Sequence, residues 1–244
     1  MRNYKIESKY GLSLASSSVG MQIKYKRNGY YYKLNTAGSE SLVEYLVTLV
    51  LNHSTVRSYV KYEYCTVNGK IACRSKDFTN DGMFITTESL YEMVTGCLNL
   101  PDKLSSLMDA TSRYNYLLWL YSCVGLDARY YLKTMLYLDM LIENTDRHAK
   151  NYEVLMNKGV YTFAPIFDNG LSLRTVPDRN CSSTICGNFE AQVVATGYPL
   201  NSPFKINYKT LSTELSRLNP SIKQSYEYKV LCNQLNKYRS VFSM

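Results

Sequence analysis

Two Asn-Gly pairs, Asn28-Gly29 and Asn68-Gly69, each stand between runs of alternating apolar and polar residues. Both residues of such a pair accept positive φ, so they suit the type I′ turn whose twist matches that of paired strands. "VGMQIKYKRNGYYYKLN" and "YVKYEYCTVNGKIACRS" therefore read as hairpins. Between them, "SESLVEYLVTLVLNH" repeats Leu42, Leu46, Leu49 and Val50 at helical spacing, with Ser39 or Ser41 placed to cap the start. The first third of the chain is thus expected to be a small sheet built in the order hairpin, helix, hairpin.

A two-residue turn also sets register. Arg27 then opposes Tyr30, and Lys24 opposes Lys33 on one sheet face. Like charges so placed destabilise a strand pair. A polyphosphate bound between them would reverse the sign; otherwise the two ammonium groups splay into solvent.

From Thr87 onward the periodicity turns helical in "TESLYEMVTGCL", "NYLLWLYSCVG" and "DARYYLKTMLYLDMLIEN". Two short strands, "YEVLMN" and "VYTFAPIFD", follow, joined around residues 157–159. Residues 174–206 carry three prolines and read as irregular. Helices near 208–217 and 221–240 close the chain, with Pro220 suited to the first turn of the second. The composition is α+β, divided at the polar stretch near 77–86 into a β-rich part, 1–80, and a mostly helical part, 81–244.

The chain has 244 residues, 45% of them hydrophobic, enough for a globular core. No apolar run is long enough to cross a bilayer, and the N-terminus has no apolar signal region. A soluble, non-exported, cytoplasmic protein is expected. The seven cysteines are scattered, no CxxC occurs, and no histidine lies near Cys181 and Cys186; free thiols of a reducing compartment are expected rather than a zinc site. The net charge of +8 fits a solvated basic surface or an anionic partner such as a nucleotide, a tRNA or an acidic protein face. No RNA-binding signature or long basic run accompanies it, so sequence-specific nucleic-acid recognition is not expected.

Chemistry concentrates in "NTDRHAKN", residues 144–151, and "FAPIFDNG", residues 163–170. Phosphoryl transfer needs a carboxylate to orient an attacking hydroxyl and accept its proton, an oxygen ligand to hold Mg²⁺ to the phosphates, and a second carboxylate on that metal. Asp146 and Asn151, on a loop after an apolar helix, can supply the first two. Asp168, at the end of an apolar strand, can supply the third. Taken singly these residues are ordinary turn formers.

Asp-x4-Asn followed by a strand-borne aspartate resembles the catalytic arrangement of the protein-kinase-like fold. "NTDRHAKN" with "FAPIFDNG" is similar specifically to HipA-like toxin kinases, and the "DRH" form also to phosphatidylinositol-type kinases. The resemblance implies a two-lobed fold with a small β-rich N-lobe and a mostly helical C-lobe. It implies Asp146 as catalytic base and Asn151 and Asp168 as metal ligands, with ATP and Mg²⁺ as cofactors. Arg147 and His148 receive no role. Asn169-Gly170 stand where ordinary protein kinases have Phe-Gly, which argues against their kind of activation switch.

Such chemistry also needs a strand lysine on the phosphates, held by a helix glutamate. The resemblance assigns these to Lys33 and Glu44. Glu40 is the rival, but it stands where acids commonly favour a helix start, whereas Glu44 interrupts an apolar face. "LASSSVGMQIK" resembles the family's phosphate-binding loop through Ser17, Ser18, Val19, Gly20 and Lys24. In that family a loop serine can be autophosphorylated; Ser17 is the best match, with Ser16 and Ser18 adjacent. The implied partners are a protein substrate, possibly of the translation machinery, and a DNA-binding antitoxin. Full-length HipA-like toxins carry an extra N-terminal subdomain, expected here as a separate polypeptide or absent. A small-molecule or lipid head-group kinase shares the same motifs, and a nucleotide-binding pseudokinase is the third reading.

Overall fold

In a computed structural model that describes residues 1–11, 23–36, 38–79, 82–147, 152–173, 189–197 and 201–244, both Asn-Gly pairs form the expected turns. Asn28 and Asn68 each have φ of 50°, followed by Gly29 at 72° and Gly69 at 77°. The first joins β2 (Lys24–Arg27) to β3 (Tyr30–Leu34) and the second joins β4 (Glu63–Val67) to β5 (Lys70–Lys76). Register follows from turn length: Arg27 opposes Tyr30 and Lys24 opposes Lys33. The strand β1 (Arg2–Tyr4) completes a five-stranded sheet of order β1-β4-β5-β3-β2 by pairing parallel to β4. Three residues are too few to show a period, so this strand had no sequence signature.

The period of two sorts the side chains of this sheet. Tyr32, Leu34, Cys65, Val67 and Ala72 face one way and are covered by Ile6 and Tyr10 of the N-terminal segment. Lys33 and its neighbour on β5, Cys73, face the other way. Tyrosine serves the sheet as a partly exposed platform for cations: the Arg74 guanidinium lies 4.7 Å from the Tyr4 ring and 4.5 Å from that of Tyr30.

The helix α1 (Glu40–Asn52) packs against β4 and β5. Its start is capped differently from expectation. Asn35 Oδ1 accepts from the Ser41 amide at 2.9 Å, while the Ser39 hydroxyl is drawn away to Glu227. The main core joins α1 to the helical lobe: Leu46, Val47 and Val50 share it with Leu132, Leu136 and Leu141 of α5 (Arg129–Ile142).

The helical lobe begins at β6 (Met83–Thr86), which pairs with β7 (Glu153–Asn157) and through it with β8 (Val160–Phe163). Around this small sheet lie α2 (Thr87–Thr95), α3 (Leu100–Ser105), α4 (Ala110–Ser122) and α5. The segment expected to be irregular holds α6 (Phe189–Val194). After α7 (Tyr208–Ser216), the long final helix expected from the sequence is three: α8 (Pro220–Gln224), α9 (Tyr226–Lys237) and α10 (Arg239–Phe242). Pro220 opens α8 as expected. The break falls at Ser225, whose extended backbone lets its hydroxyl accept from the Tyr228 amide at 3.2 Å and cap α9.

"VYTFAPIFD" is also not one strand. β8 ends at Phe163, and Pro165 has no N–H with which to continue a ladder. Ile166 instead bridges to Tyr59 in parallel, with the Val60 amide donating to Ile166 O at 2.8 Å and the Ile166 amide to Ser58 O at 3.0 Å. This bridge carries Asp168 across to the N-lobe.

Candidate active site

Three elements bring one cation and two acids together. Lys33 reaches from the open face of β3, Glu44 from one turn inside α1, and Asp168 from the segment after the Ile166 bridge. Lys33 Nζ lies 2.8 Å from Asp168 Oδ1, 3.5 Å from Glu44 Oε1 and 3.4 Å from the Tyr62 hydroxyl. The second oxygen of Glu44 accepts from the Asn169 amide at 3.1 Å, so Glu44 holds both the lysine and the backbone beside Asp168. Glu40 takes no part in the Lys33 contacts; its Cβ instead lies against Gly170, where an added Cβ would come within 3.2 Å.

Burial favours the neutral form of each group, and the partners decide the outcome. Desolvation works to lower Lys33, but the Asp168 charge overrides it and the ammonium is held well above its ordinary value. Desolvation works to raise Asp168, but Lys33 holds its carboxyl down to about 2. Glu44, more deeply buried and farther from the cation, is pushed up by burial despite Lys33. Asp168 is held at a φ of 59°, a left-handed conformation in which non-glycine residues are uncommon. Its side chain keeps 29% exposure, so an ionised oxygen donor stays open beside the cleft, which is the donor chemistry Mg²⁺ requires.

Lys24 stands directly opposite Lys33, as expected from the turn. Burial first, and then the Lys33 charge, lower it. The repulsion is offset in part by Asp168, Glu153 and Glu44, so carboxylates of the protein already moderate what a polyphosphate was expected to reverse.

The loop of Asp146 is held by a cluster that sequence reasoning passed over. Glu143 ends α5 in a left-handed conformation, φ 50°. Asn144 then donates from Nδ2 to Asp139 Oδ1 at 3.1 Å, and its Oδ1 accepts from the Asp146 amide at 3.1 Å. Arg147, 1% exposed, donates from Nε to both oxygens of Asp139 at 3.1 Å. Its other nitrogens donate to Phe167 O at 3.0 Å and Asn169 Oδ1 at 2.8 Å. One guanidinium thus ties the Asp146 loop to the residues on both sides of Asp168, through the Phe167 carbonyl and the Asn169 side chain. The Asp139 charge raises Arg147 further, against the pull of burial. The available signal was Asp139, a lone acid in the apolar second half of α5.

Glu153 was also missed. It is fully buried at the start of β7, and neither carboxylate oxygen has a hydrogen-bond partner. Burial, then Asp168, push its carboxyl up to about 9 against Lys33 and Lys24. In the sequence it passed for one polar residue of a short strand.

Ser16, Ser17, Ser18, Val19 and Gly20 of the serine loop lie outside the described residues, as do His148, Asn151, Cys181 and Cys186. Among the described residues no helix is long and apolar enough to cross a membrane.

No protein-family model and no curated protein matches this chain. Solved structures do. The chain is similar to CtkA, a proinflammatory kinase of Helicobacter pylori, with a TM-score of 0.61 and 17% identity over 96% of this chain and 93% of that one. It is also similar to HipA of the Shewanella oneidensis toxin–antitoxin system, solved with HipB and operator DNA. That match has a TM-score of 0.55 and 11% identity over 95% of this chain and 66% of that one. At such identities the likeness is one of fold, and the two-lobed kinase-like architecture expected from the sequence is the architecture of this chain.

Proposed function

We propose that the chain is an ATP- and Mg²⁺-dependent serine/threonine protein kinase of the HipA-like type. The observation that carries this reading is the convergence of Lys33, Glu44 and Asp168 within hydrogen-bonding reach. These are the residues to which the family resemblance assigns the phosphate-binding lysine, its glutamate and a metal-binding aspartate. The kinase-like fold shared with CtkA and HipA supports it.

In this reading Lys33 exchanges Asp168 for the phosphates of ATP, and Glu44 keeps the ammonium aimed at them. Asp146 orients a protein hydroxyl and takes its proton as the oxygen bonds to the γ-phosphorus. The bond from that phosphorus to the bridging oxygen breaks, and ADP leaves. Asp168 and Asn151 would hold Mg²⁺, which neutralises the charge gathering on the phosphates. Arg147 maintains the spacing between the Asp146 loop and Asp168. The serine loop, with Gly20, Val19, Ser18 and Lys24, would cover the phosphates, and one of Ser16 to Ser18 would be the site of autophosphorylation. A protein of the translation machinery as substrate, and a DNA-binding antitoxin as partner, complete the reading; HipB accompanies HipA in the structure noted above.

The test is to incubate the pure protein with ATP and Mg²⁺ and map added phosphate by mass spectrometry. Phosphate on Ser16, Ser17 or Ser18 is the expected result. ATP binding with no transfer to the loop, to candidate proteins or to small hydroxyl compounds would leave a pseudokinase instead.

A further inference from the structure

Glu153 is a buried acid with nothing to bond to. Its backbone is satisfied: the Ala164 amide donates to its carbonyl at 3.0 Å, and the Tyr131 hydroxyl lies 3.4 Å from both its amide and its carbonyl. Its carboxylate is not, since both oxygens lack partners and the residue is 0% exposed. Leaving such a group unpaired costs free energy that native structures normally avoid. Such a group calls for an explanation, and a ligand that satisfies it in another state of the protein is one.

Strand alternation shows which way the side chain goes. Val154 and Met156 face the main core. Leu155, two residues from Glu153 and therefore on its face, packs with Val60, Tyr62, Cys73 and Phe167. That apolar cluster lies between the lobes, and Tyr62 within it contacts Lys33. The charges that reach Glu153 are Asp168, Lys33, Lys24 and Arg147. The carboxyl therefore lies on the strand face turned to this interlobe cluster, near the Lys33–Asp168 bridge.

We infer that Glu153 hydrogen-bonds the nucleoside half of the nucleotide bound in this cleft, an inference that rests on the kinase reading above. The phosphates go to the ammonium groups of Lys33 and Lys24. What approaches Glu153 must hydrogen-bond a carboxyl group, and the adjoining side chains of Leu155, Phe167 and Tyr62 suit a flat apolar ring. A nucleoside offers both: ribose hydroxyls or an exocyclic amine as donor, and the base as ring. Phosphates that take over Lys33 break its bridge to Asp168, and Glu153, sealed in this structure, must open to the nucleoside for the contact to form.

The experiment measures binding by calorimetry for the wild type, Glu153→Leu and Glu153→Gln, using ATP, 2′-deoxy-ATP, 3′-deoxy-ATP, purine riboside triphosphate and inorganic tripolyphosphate. Glu153→Leu should bind ATP about tenfold more weakly and tripolyphosphate as the wild type does. Its melting temperature without ligand should rise by about 2–4 °C, because an unpaired buried acid has been removed. Glu153→Gln, which keeps the shape and hydrogen-bonding capacity, should stay within about threefold of the wild type for ATP. One analogue should bind the wild type as weakly as ATP binds Glu153→Leu, with no further loss in that variant. Loss at a deoxy analogue identifies a ribose hydroxyl, and loss at the purine riboside identifies the amine. Equal ATP affinity in all three proteins overturns the inference and leaves the kinase reading standing. So does equal weakening of ATP and tripolyphosphate in Glu153→Leu, which would make Glu153 structural. If Glu153→Leu does not fold, identical analogue preferences in the wild type and Glu153→Gln, with no analogue weaker than ATP, overturn it as well. A wild type that binds neither ATP nor tripolyphosphate removes the kinase reading, and the inference with it.

Discussion

Lys33 Nζ stands 2.8 Å from Asp168 Oδ1, although 135 positions of chain separate the two residues. The same ammonium is 3.5 Å from Glu44, so one cation serves two acids in a nearly closed site. Removing one partner of a buried pair costs more than the pair contributes, because the other charge is stranded. Lys33→Met should therefore lose about 3 kcal/mol or more in a urea titration. An unchanged midpoint would mean that this bridge does not persist in solution.

Asp146 should behave differently. It is only partly buried, and its backbone amide, which an Asn substitution keeps, donates to Asn144. Asp146→Asn should leave the circular dichroism spectrum unchanged while lowering phosphate transfer at least about 100-fold with radiolabelled ATP. A fully active Asp146→Asn protein would take the base assignment away from this residue. Asp168→Asn should also abolish transfer.

The Arg147–Asp139 pair can be tested without substrate. Both are buried, and Arg147 also holds Phe167 O and Asn169. Arg147→Met or Asp139→Leu alone should each cost about 3–5 kcal/mol, because each strands a charge. The double variant should be markedly more stable than the sum of the single losses allows. Strict additivity would argue that the two side chains do not interact.

Gly170 touches the start of the helix that carries Glu44. A Cβ there would lie 3.2 Å from Glu40 Cβ and 3.5 Å from Glu40 O. Gly170→Ala should cost about 1 kcal/mol as α1 gives way, and a bulkier Gly170→Val should cost more. A thermal melt on the two variants, in that order of severity, is the check.

Burial sets thiol reactivity as well. Cys97 and Cys123 are exposed, whereas Cys65 and Cys73 are buried in the sheet. Burial pushes the Cys65 thiol up to about 11 and Cys73 higher still. At pH 8 roughly one Cys65 in a thousand is thiolate. Brief native alkylation followed by mass spectrometry should mark Cys97 and Cys123 and spare Cys65 and Cys73 until the protein is unfolded.

Features governed by neighbours in the chain were legible in the sequence. The Asn-Gly turns set the hairpins, turn length set the Lys24–Lys33 register, and apolar spacing marked α1 and α5. Lys33, Glu44 and Asp168 could be named together because their motifs resemble those of a known family, and their convergence is what the fold adds. What depended on distant segments could not be read. Pro165 ended a strand whose continuation was the Ile166 bridge, Ser225 preferred capping to helix, and Asn35 rather than a serine closed the start of α1. Arg147 looked like any loop cation until α5 supplied Asp139, and Glu153 like any strand acid until the lobes closed over it. Local backbone preference acts over a few residues, and its rules are written in the sequence. Whether a charge meets a partner, or a carboxyl is sealed from water, depends on which surfaces the folded chain brings face to face.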